Sequence, residues 1–371
     1  MITSMLANLD QIDWSSLTHA YGSAADVPAL IRARASADPE KTSEAESELF
    51  GNIWHQGTVY EATSFAVPFL VELLESRETL DRAGLVILLA SIAKGSSYLE
   101  VHGDLPYYQH QDQSALQEKL KQELKWKSQA REAVQQFAPV YWRLLDDSSL
   151  LVSLPYLLAR LPGETERVHE RIPQLLATAV KPEQVASLLL CLAVTSDNVS
   201  SSFARFSGFL HEVDPLSRLS AALGILISGT GASNAEKSLE IYFQALRDPD
   251  TFKSGDNTWL WGEGDIWGFL VGVHTLFSEP AKNQFARLLP ERLQALDSYT
   301  AAALASGSMH LGFDSTDLPK RRDDLNDFQL VLLCALARDT QVIYNDPLIN
   351  SIQQALGLSQ DVKDLRRFLE A

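Results

Sequence analysis

FLVELLESRETLDRAGLVILLASIA, running from Phe69 to Ala93, is the stretch that decides the fold. It overlaps EATSFAVPFLVELLES, Glu61 to Ser76, in which Ala62, Phe65, Ala66, Phe69, Leu70, Leu73 and Leu74 recur at i, i+3, i+4 and i+7. That spacing lays an apolar stripe along one face of a helix and predicts that the stripe faces a core. LDRAGLVILLASIAK, Leu80 to Lys94, repeats the pattern and ends at Gly95, a residue suited to stopping a helix. Neither half alternates with period two, and no convincing strand of more than a few residues occurs elsewhere.

The two-helix phrase recurs. It reads as a helix ending in two apolar residues, an acidic turn, and a second helix rich in Leu and Ala. Copies are YWRLLDDSSLLVSLPYLLARLP from Tyr141, SGFLHEVDPLSRLSAALGILIS from Ser207 and, more weakly, IPQLLATAVKPEQVASLLLCLAV from Ile172. The first helices end near Leu74, Leu145, Leu176, Leu210 and Leu246, the last four being 31, 34 and 36 residues apart. One such pair cannot bury its apolar face alone, so neighbours must stack. The expected fold is therefore all-α: an α-α superhelix, a right-handed solenoid of antiparallel helix pairs with one continuous core over residues 1–371. Within it, 14–94 holds the first pairs, 95–113 an irregular loop, 114–247 the central repeats, 248–280 a Trp-rich insertion and 281–371 the last helices. Lone helices over Asp26–Ser36 and Gln360–Glu370 are expected to cap the ends, and Gly307–Asp324 to be irregular.

Pro68, Leu70, Leu73, Leu74, Asp81, Arg82 and Ala83 resemble the HEAT-repeat pattern of a proline in the first helix and an Asp–Arg pair near the turn. Asp214, Pro215, Arg218, Ala221 and Ala222 match it in part, whereas the copy at Asp146 and Asp147 lacks the arginine and has Val152 near that place. HAYGSAADVPAL from His19 and HQGTVYEATSFAVPFLVELL from His55 look like segments of a group of bacterial HEAT-repeat proteins of unassigned function. The resemblance covers about the first two-thirds of the chain; it implies an armadillo-like helical fold and says almost nothing about activity.

Composition is that of a globular chain: 46% hydrophobic, 9% aromatic and 21% charged residues. No apolar run approaches the ~20 residues of a membrane span, and the acidic start, Met1 to Asp13, does not read as a signal peptide. Cys191 and Cys334 lie in apolar helical runs and are expected to be buried, unpaired thiols of a cytoplasmic protein. Thirty-one basic residues against 48 acidic ones leave a net charge of −17. Such a surface repels phosphate, so nucleic acid and anionic membranes are not the expected partners; a basic protein is.

His102, Asp104, His110 and Asp112 share a loop and suit a metal by type, but their spacing lacks a ligand motif, and neither a metal nor another cofactor is expected. There is no GxSxG elbow and no P-loop, and WGEGDIWG places Glu263 and Asp265 where phosphate would be repelled. An alternative is a DNA alkylbase glycosylase, a known use of HEAT-like folds, with Trp259, Trp261, Trp267, Glu263 and Asp265 forming the pocket. The only basic run, KLKQELKWKSQAR from Lys119 to Arg131, reads instead as the solvated face of a helix whose other stripe is Leu116, Leu120, Leu124, Ala130, Val134 and Phe137.

Trp and Tyr dominate interface hot spots because they bury large area at small rotamer cost. Trp259, Trp261 and Trp267, with Glu263 and Asp265 beside them, therefore form one candidate partner-binding set. His55, Gln56 and Tyr60, in a turn that Gly57 permits, form a second, and Tyr107 and Tyr108 a third. The expected function is non-catalytic: a scaffold, monomeric or weakly dimeric, that binds a basic protein. An immunity protein neutralising a toxin is its sharper form.

Overall fold

In the computed structural model, which describes residues 6–103, 108, 111–195, 199–229, 232–252, 266–339, 347–359 and 361–370, the chain is mostly helical and separates into two units, Met1–Ala177 and Thr178–Ala371. The first unit opens with a hairpin of β1 (Thr18–His19) and β2 (Gly22–Ser23), then α1 (Val27–Arg34) and α2 (Pro39–Asn52). A second hairpin, β3 (Trp54–His55) and β4 (Thr58–Val59), leads into α3 (Glu61–Glu75) and α4 (Arg82–Lys94). Next come α5 (Tyr98–His102), α6 (Gln113–Gln135), α7 (Ala138–Leu144), α8 (Ser153–Leu158) and α9 (Thr165–Thr178). Both hairpins are antiparallel.

Side-chain chemistry sets the helix ends. Thr63 Oγ1 accepts from the Tyr60 backbone N–H at 2.9 Å and donates to the Ile53 carbonyl at 2.6 Å, which fixes the start of α3 against the second hairpin. α4 begins at Arg82, with Asp81 as its N-cap: the Asp81 carboxylate accepts from Gly84 N–H at 3.2 Å. Gly95 ends α4, and a Cβ there would collide with Val59 of β4, so the residue serves close approach as well as helix termination. N-caps also stand at Asp147, Lys181 and Asp214, positions 34 and 33 residues apart.

The apolar stripes need two corrections. Phe65, expected on the buried stripe of α3, is 41% exposed, while Val67 and Val71 are buried. α3 packs against both α4 and α6, so its buried arc widens toward those two valines and leaves Phe65 outside. On α6, Ala130 and Val134 are buried as expected, but Leu124 is 39% exposed and Glu123 is buried. The Glu123 carboxylate accepts from Leu99 N–H at 2.8 Å, so its burial is compensated by satisfying the start of α5.

The second unit comprises α10 (Pro182–Val194), α11 (Val199–Phe209), α12 (Pro215–Ser228), α13 (Ala232–Arg247) and α14 (Ile266–Val273), followed by α15 (Glu279–Ala295), α16 (Ser298–Ser308), α17 (Asp327–Leu336), α18 (Pro347–Ala355) and α19 (Val362–Glu370). α12 packs on α10, α11 and α13, which explains why Leu219 and Leu223 on one face and Ala221 and Ile225 on the opposite one are all buried. Gly224 lets the Phe206 ring approach so closely that any Cβ would strike it. Tyr242, fully buried, donates to the Leu270 carbonyl at 2.9 Å and sits among Phe243, Phe277 and Phe285. Cys191 is buried as expected; Cys334 is exposed, because it lies on the side of α17 away from the buried Leu332, Leu333 and Leu336. Among the described residues no helix is long and apolar enough to cross a membrane.

Arg34 is the polar centre of the first unit. Fully buried, it donates to the Leu80 carbonyl at 2.7 Å and the Asp81 carbonyl at 2.6 Å, and its guanidinium lies 2.8 Å from the Glu46 carboxylate. Removing one partner of a buried pair typically costs about 3–5 kcal/mol, because the other charge is left uncompensated. Arg34→Leu is therefore expected to lower the unfolding free energy by about 3 kcal/mol in urea titrations, with Glu46→Gln in the same chain restoring part of it. A loss below about 1 kcal/mol would show that the ion pair does not organise the unit.

Candidate recognition surface

The two hairpins meet at their tips. β1 and β2 are joined by Ala20 and Tyr21, with His19 opposite Gly22. β3 and β4 are joined by Gln56 and Gly57, at φ +48° and +92°, with His55 opposite Thr58. Two successive positive φ values match a type I′ turn, whose twist follows that of the strands, and Gly57 is the residue that accepts one at no steric cost. The second hairpin is clamped to the end of α4: Val59 N–H donates to Ser96 O at 3.0 Å, and Ser96 N–H to Gly57 O at 2.8 Å.

The first hairpin is held by a buried histidine. His19 Nδ1 accepts from Tyr21 N–H at 3.0 Å, so Nε2 carries the proton and donates to Asp26 at 3.0 Å. The other Asp26 oxygen accepts from Asn52 Nδ2 at 2.8 Å, and Ala20 N–H donates to Asn52 O at 3.0 Å. Glu61, in the first turn of α3, accepts from the Thr18 backbone and hydroxyl at 3.2 and 3.1 Å. Each constraint leaves the Tyr21 ring outside. It is 69% exposed, meets the His55 ring edge-on at 5.3 Å between centroids, and its hydroxyl lies 3.3 Å from His55 Nδ1.

Around this ridge stand more aromatic groups of the same unit. Tyr60 is half-buried, and its hydroxyl is 2.7 Å from Thr58 Oγ1. Burial, with the nearby Tyr98, Glu123 and Tyr21 adding to it, pushes its phenol above the usual tyrosine range. His102 packs on Tyr98 at 4.6 Å, with the Lys119 ammonium 5.9 Å from the same ring. Trp54 and Phe50 meet edge-on at 5.8 Å and carry the aromatic surface from the second hairpin onto α2.

Of the residues singled out in the sequence, His55, Gln56 and Tyr60 come together here. Tyr108 lies in the first unit, its carbonyl accepting from Gln113 Nε2 at 3.1 Å. Trp267 belongs to the second unit, where it stacks on Tyr299 at 5.0 Å and donates to Thr300 Oγ1 at 3.2 Å. Trp259, Trp261, Glu263, Asp265, Tyr107, Asp104 and His110 lie outside the described residues. Sequence reasoning missed Tyr21 and Phe65: Tyr21 acquires its place only when two turns distant in sequence meet, and Phe65 was assigned to the core by its period.

Charge reinforces the picture. Residues 1–100 hold 14 Asp and Glu against six Lys and Arg. Two of those six are withdrawn from the surface: Arg34 by Glu46, and Arg82 by Asp147 at 2.7 Å. The basic run on α6 is also partly occupied internally. Lys127 pairs with Glu100 at 2.7 Å and Arg131 donates to the Ala93 carbonyl at 3.1 Å, so these two are less solvated than expected. Asp112 caps α6 through Ser114 N–H at 2.9 Å, and among the described residues no group of three His, Cys, Asp or Glu could hold a metal.

Two further groups bear on chemistry. Although Cys334 is exposed as a residue, desolvation of its thiol raises it above the usual cysteine range against the nearby Arg322, which disfavours the reactive thiolate. His274 and Ser308 stand 3.3 Å apart, but both are buried, and His274 Nε2 is 3.0 Å from the Gly307 carbonyl. This Ser–His contact is part of the packing of the second unit. Set against protein-family models, curated proteins and solved structures, the chain matches none of them.

Burial, with His310 close by, pushes His274 down to about 4. Unfolded, the same imidazole titrates near 6.5, so between about pH 6.5 and 4 the unfolded chain takes up a proton that the native one refuses. Stability present above about pH 6.5 is thus lost progressively as pH falls toward 4. The urea midpoint is expected to drop between about pH 7 and 5.5, and His274→Phe, though less stable at pH 7, is expected to flatten that slope. An unchanged slope in the variant would assign the pH dependence to other groups.

Proposed function

We propose that the protein is a non-catalytic recognition scaffold, built from stacked HEAT-like helix pairs, that binds a basic protein through the aromatic ridge at Tyr21 and His55. The observation that carries this reading is the exposure of Tyr21, at 69%, on a turn braced by His19, Asp26, Asn52 and Glu61. A large, rigid, half-polar ring held outside at a fixed place loses little freedom on binding, which is what an interface anchor requires. His55 and Tyr60 stand beside it. The acidic excess of the first hundred residues selects the sign of the partner, speeding encounter with cations and disfavouring polyanions. Two cysteines in 371 residues, Cys191 buried and Cys334 exposed, suit a cytoplasmic setting. The sharper form of the reading is neutralisation of a basic toxic protein, such as a nuclease, whose working face would be covered.

The test is affinity capture from lysate of the native host with wild-type chain, Tyr21→Ala and His55→Ala as baits. A basic protein is expected on the wild-type bait at about 50 mM salt, weaker at about 300 mM, and reduced about tenfold on Tyr21→Ala. Equal recovery on the wild type and both variants would remove the ridge from the interface. Recovery of nucleic acid alone would overturn the reading.

A further inference from the structure

Two grooves flank α2 in the first unit. One, about 480 Å³, lies between α2 and the turn before α4 and is lined by Thr42, Glu46, Phe50, Leu80 and Asp81 among others. The second, about 560 Å³, lies between α1 and α2 and includes Leu30, Ala33, Glu44 and Glu48. Ser43 and Ser47 line both, so the grooves are separated only by small exposed side chains.

The charge on this surface is unbalanced in a specific way. Arg34 approaches from the interior and engages one Glu46 oxygen, while Gly84 N–H engages one Asp81 oxygen. The remaining oxygens, Glu46 Oε1 and Asp81 Oδ2, converge: a Cβ on Gly84 would strike both. Arg34 thus pairs with Glu46, whereas the Asp81 carboxylate is met by a backbone N–H, and Glu44 and Glu48 add two more charges on the other side of Ser47. The one cation among the lining residues is Lys41, which is 3.8 Å from Asp38. Asp81 is held at φ +43°, a strained conformation for a residue other than glycine, by its N-cap bond and by Arg34 on its carbonyl. Burial, followed by the opposing influence of Arg34 and the charge of Asp81, leaves the Glu46 carboxyl above its usual range.

We propose that the paired grooves over α2 are a docking channel for an Arg- or Lys-bearing segment of a basic protein partner. The chemistry suits that occupant. Leu80, Phe50 and Leu30 offer apolar wall to the methylene stems of such side chains, and Glu46, Asp81, Glu44 and Glu48 receive the charged heads. Phe50 also touches Trp54, which makes the channel continuous with the ridge at His55. The inference deepens the protein-binding reading and rests on it for the identity of the occupant as a protein.

The probe is a fluorescein-labelled peptide of alternating Arg and Ala, followed by anisotropy at about 50 mM salt against the full chain. Ser47→Trp fills the channel without changing charge, and Glu44→Gln with Glu48→Gln removes two charges; both sets lie at exposed sites, and their urea midpoints are checked against the wild type. Glu118→Gln with Glu132→Gln removes equal charge from α6 as a control. Affinity is expected to fall about tenfold in the first two variants and less than about twofold in the control. Equal losses in both charge variants, or no loss in Ser47→Trp, would overturn the channel and leave only diffuse attraction. Self-association on sedimentation, abolished by Ser47→Trp, would make the occupant a second copy of this chain and also overturn the proposal. The same baits in the lysate experiment separate the two readings. A basic protein captured equally by wild type and Ser47→Trp leaves the ridge standing and the channel refuted. Peptide bound in the channel with no protein captured leaves a cation-binding groove and refutes the scaffold.

Discussion

A guanidinium with no access to water must find its partners within the protein, and Arg34, at the end of α1, finds them in two other segments. It leaves the end of α1, takes the carbonyls of Leu80 and Asp81 from the turn before α4, and pairs with Glu46 of α2. Each partner would be costly to leave unmatched, so the three segments are tied more specifically than apolar packing alone would tie them. The strained backbone at Asp81 follows from this arrangement, because its carbonyl is directed to Arg34 while its carboxylate caps α4. Gly84 follows too: the space a side chain would occupy is filled by the two carboxylates. The channel over α2 is the outer side of the same constraint.

The hairpins use polar bonds for a different end. Short two-stranded ribbons are marginal by themselves. Here one is pinned by His19, Asn52 and Glu61, and the other by Ser96 and Thr63. Their rigidity comes from α1, α2, α3 and the end of α4, while their tips remain outside. That division of labour is common where helices or sheets form a scaffold and turns carry contacts. It leaves Tyr21 at the surface while His19, Asn52 and Thr63, which hold the hairpins, are buried.

In the second unit, by contrast, polar groups serve packing. Tyr242, His274 and Ser308 lie inside, with their bonds to Leu270 and Gly307 closing among aromatic neighbours. His274 is neutral there because burial disfavours its charged form, and the same burial keeps it away from solvent chemistry. Trp267, stacked on Tyr299, sits at the margin of this packing, half-buried.

Periodicity alone determined that the chain is helical and that α3 and α4 form a pair, because the 3.6-residue repeat of apolar side chains is a local property of the chain. Helix ends were legible where one residue decides them, as at Gly95, and off by two where a cap decides, α4 starting at Arg82 behind its Asp81 cap and not at Leu80. Local pattern also singled out His55, Gln56 and Tyr60, since a glycine-bearing turn rich in aromatic and polar groups is visible in sequence. Which faces are covered was decided by tertiary structure. Phe65 is exposed and Glu123 buried because the neighbours of α3 and α6 come from other segments, and period carries no information about them. The meeting of Tyr21 with His55, the pairing of Arg34 with Glu46 and the convergence of two carboxylates on Gly84 arise in the same way. Each brings in a residue twelve or more positions away, and only the packed fold places the atoms side by side.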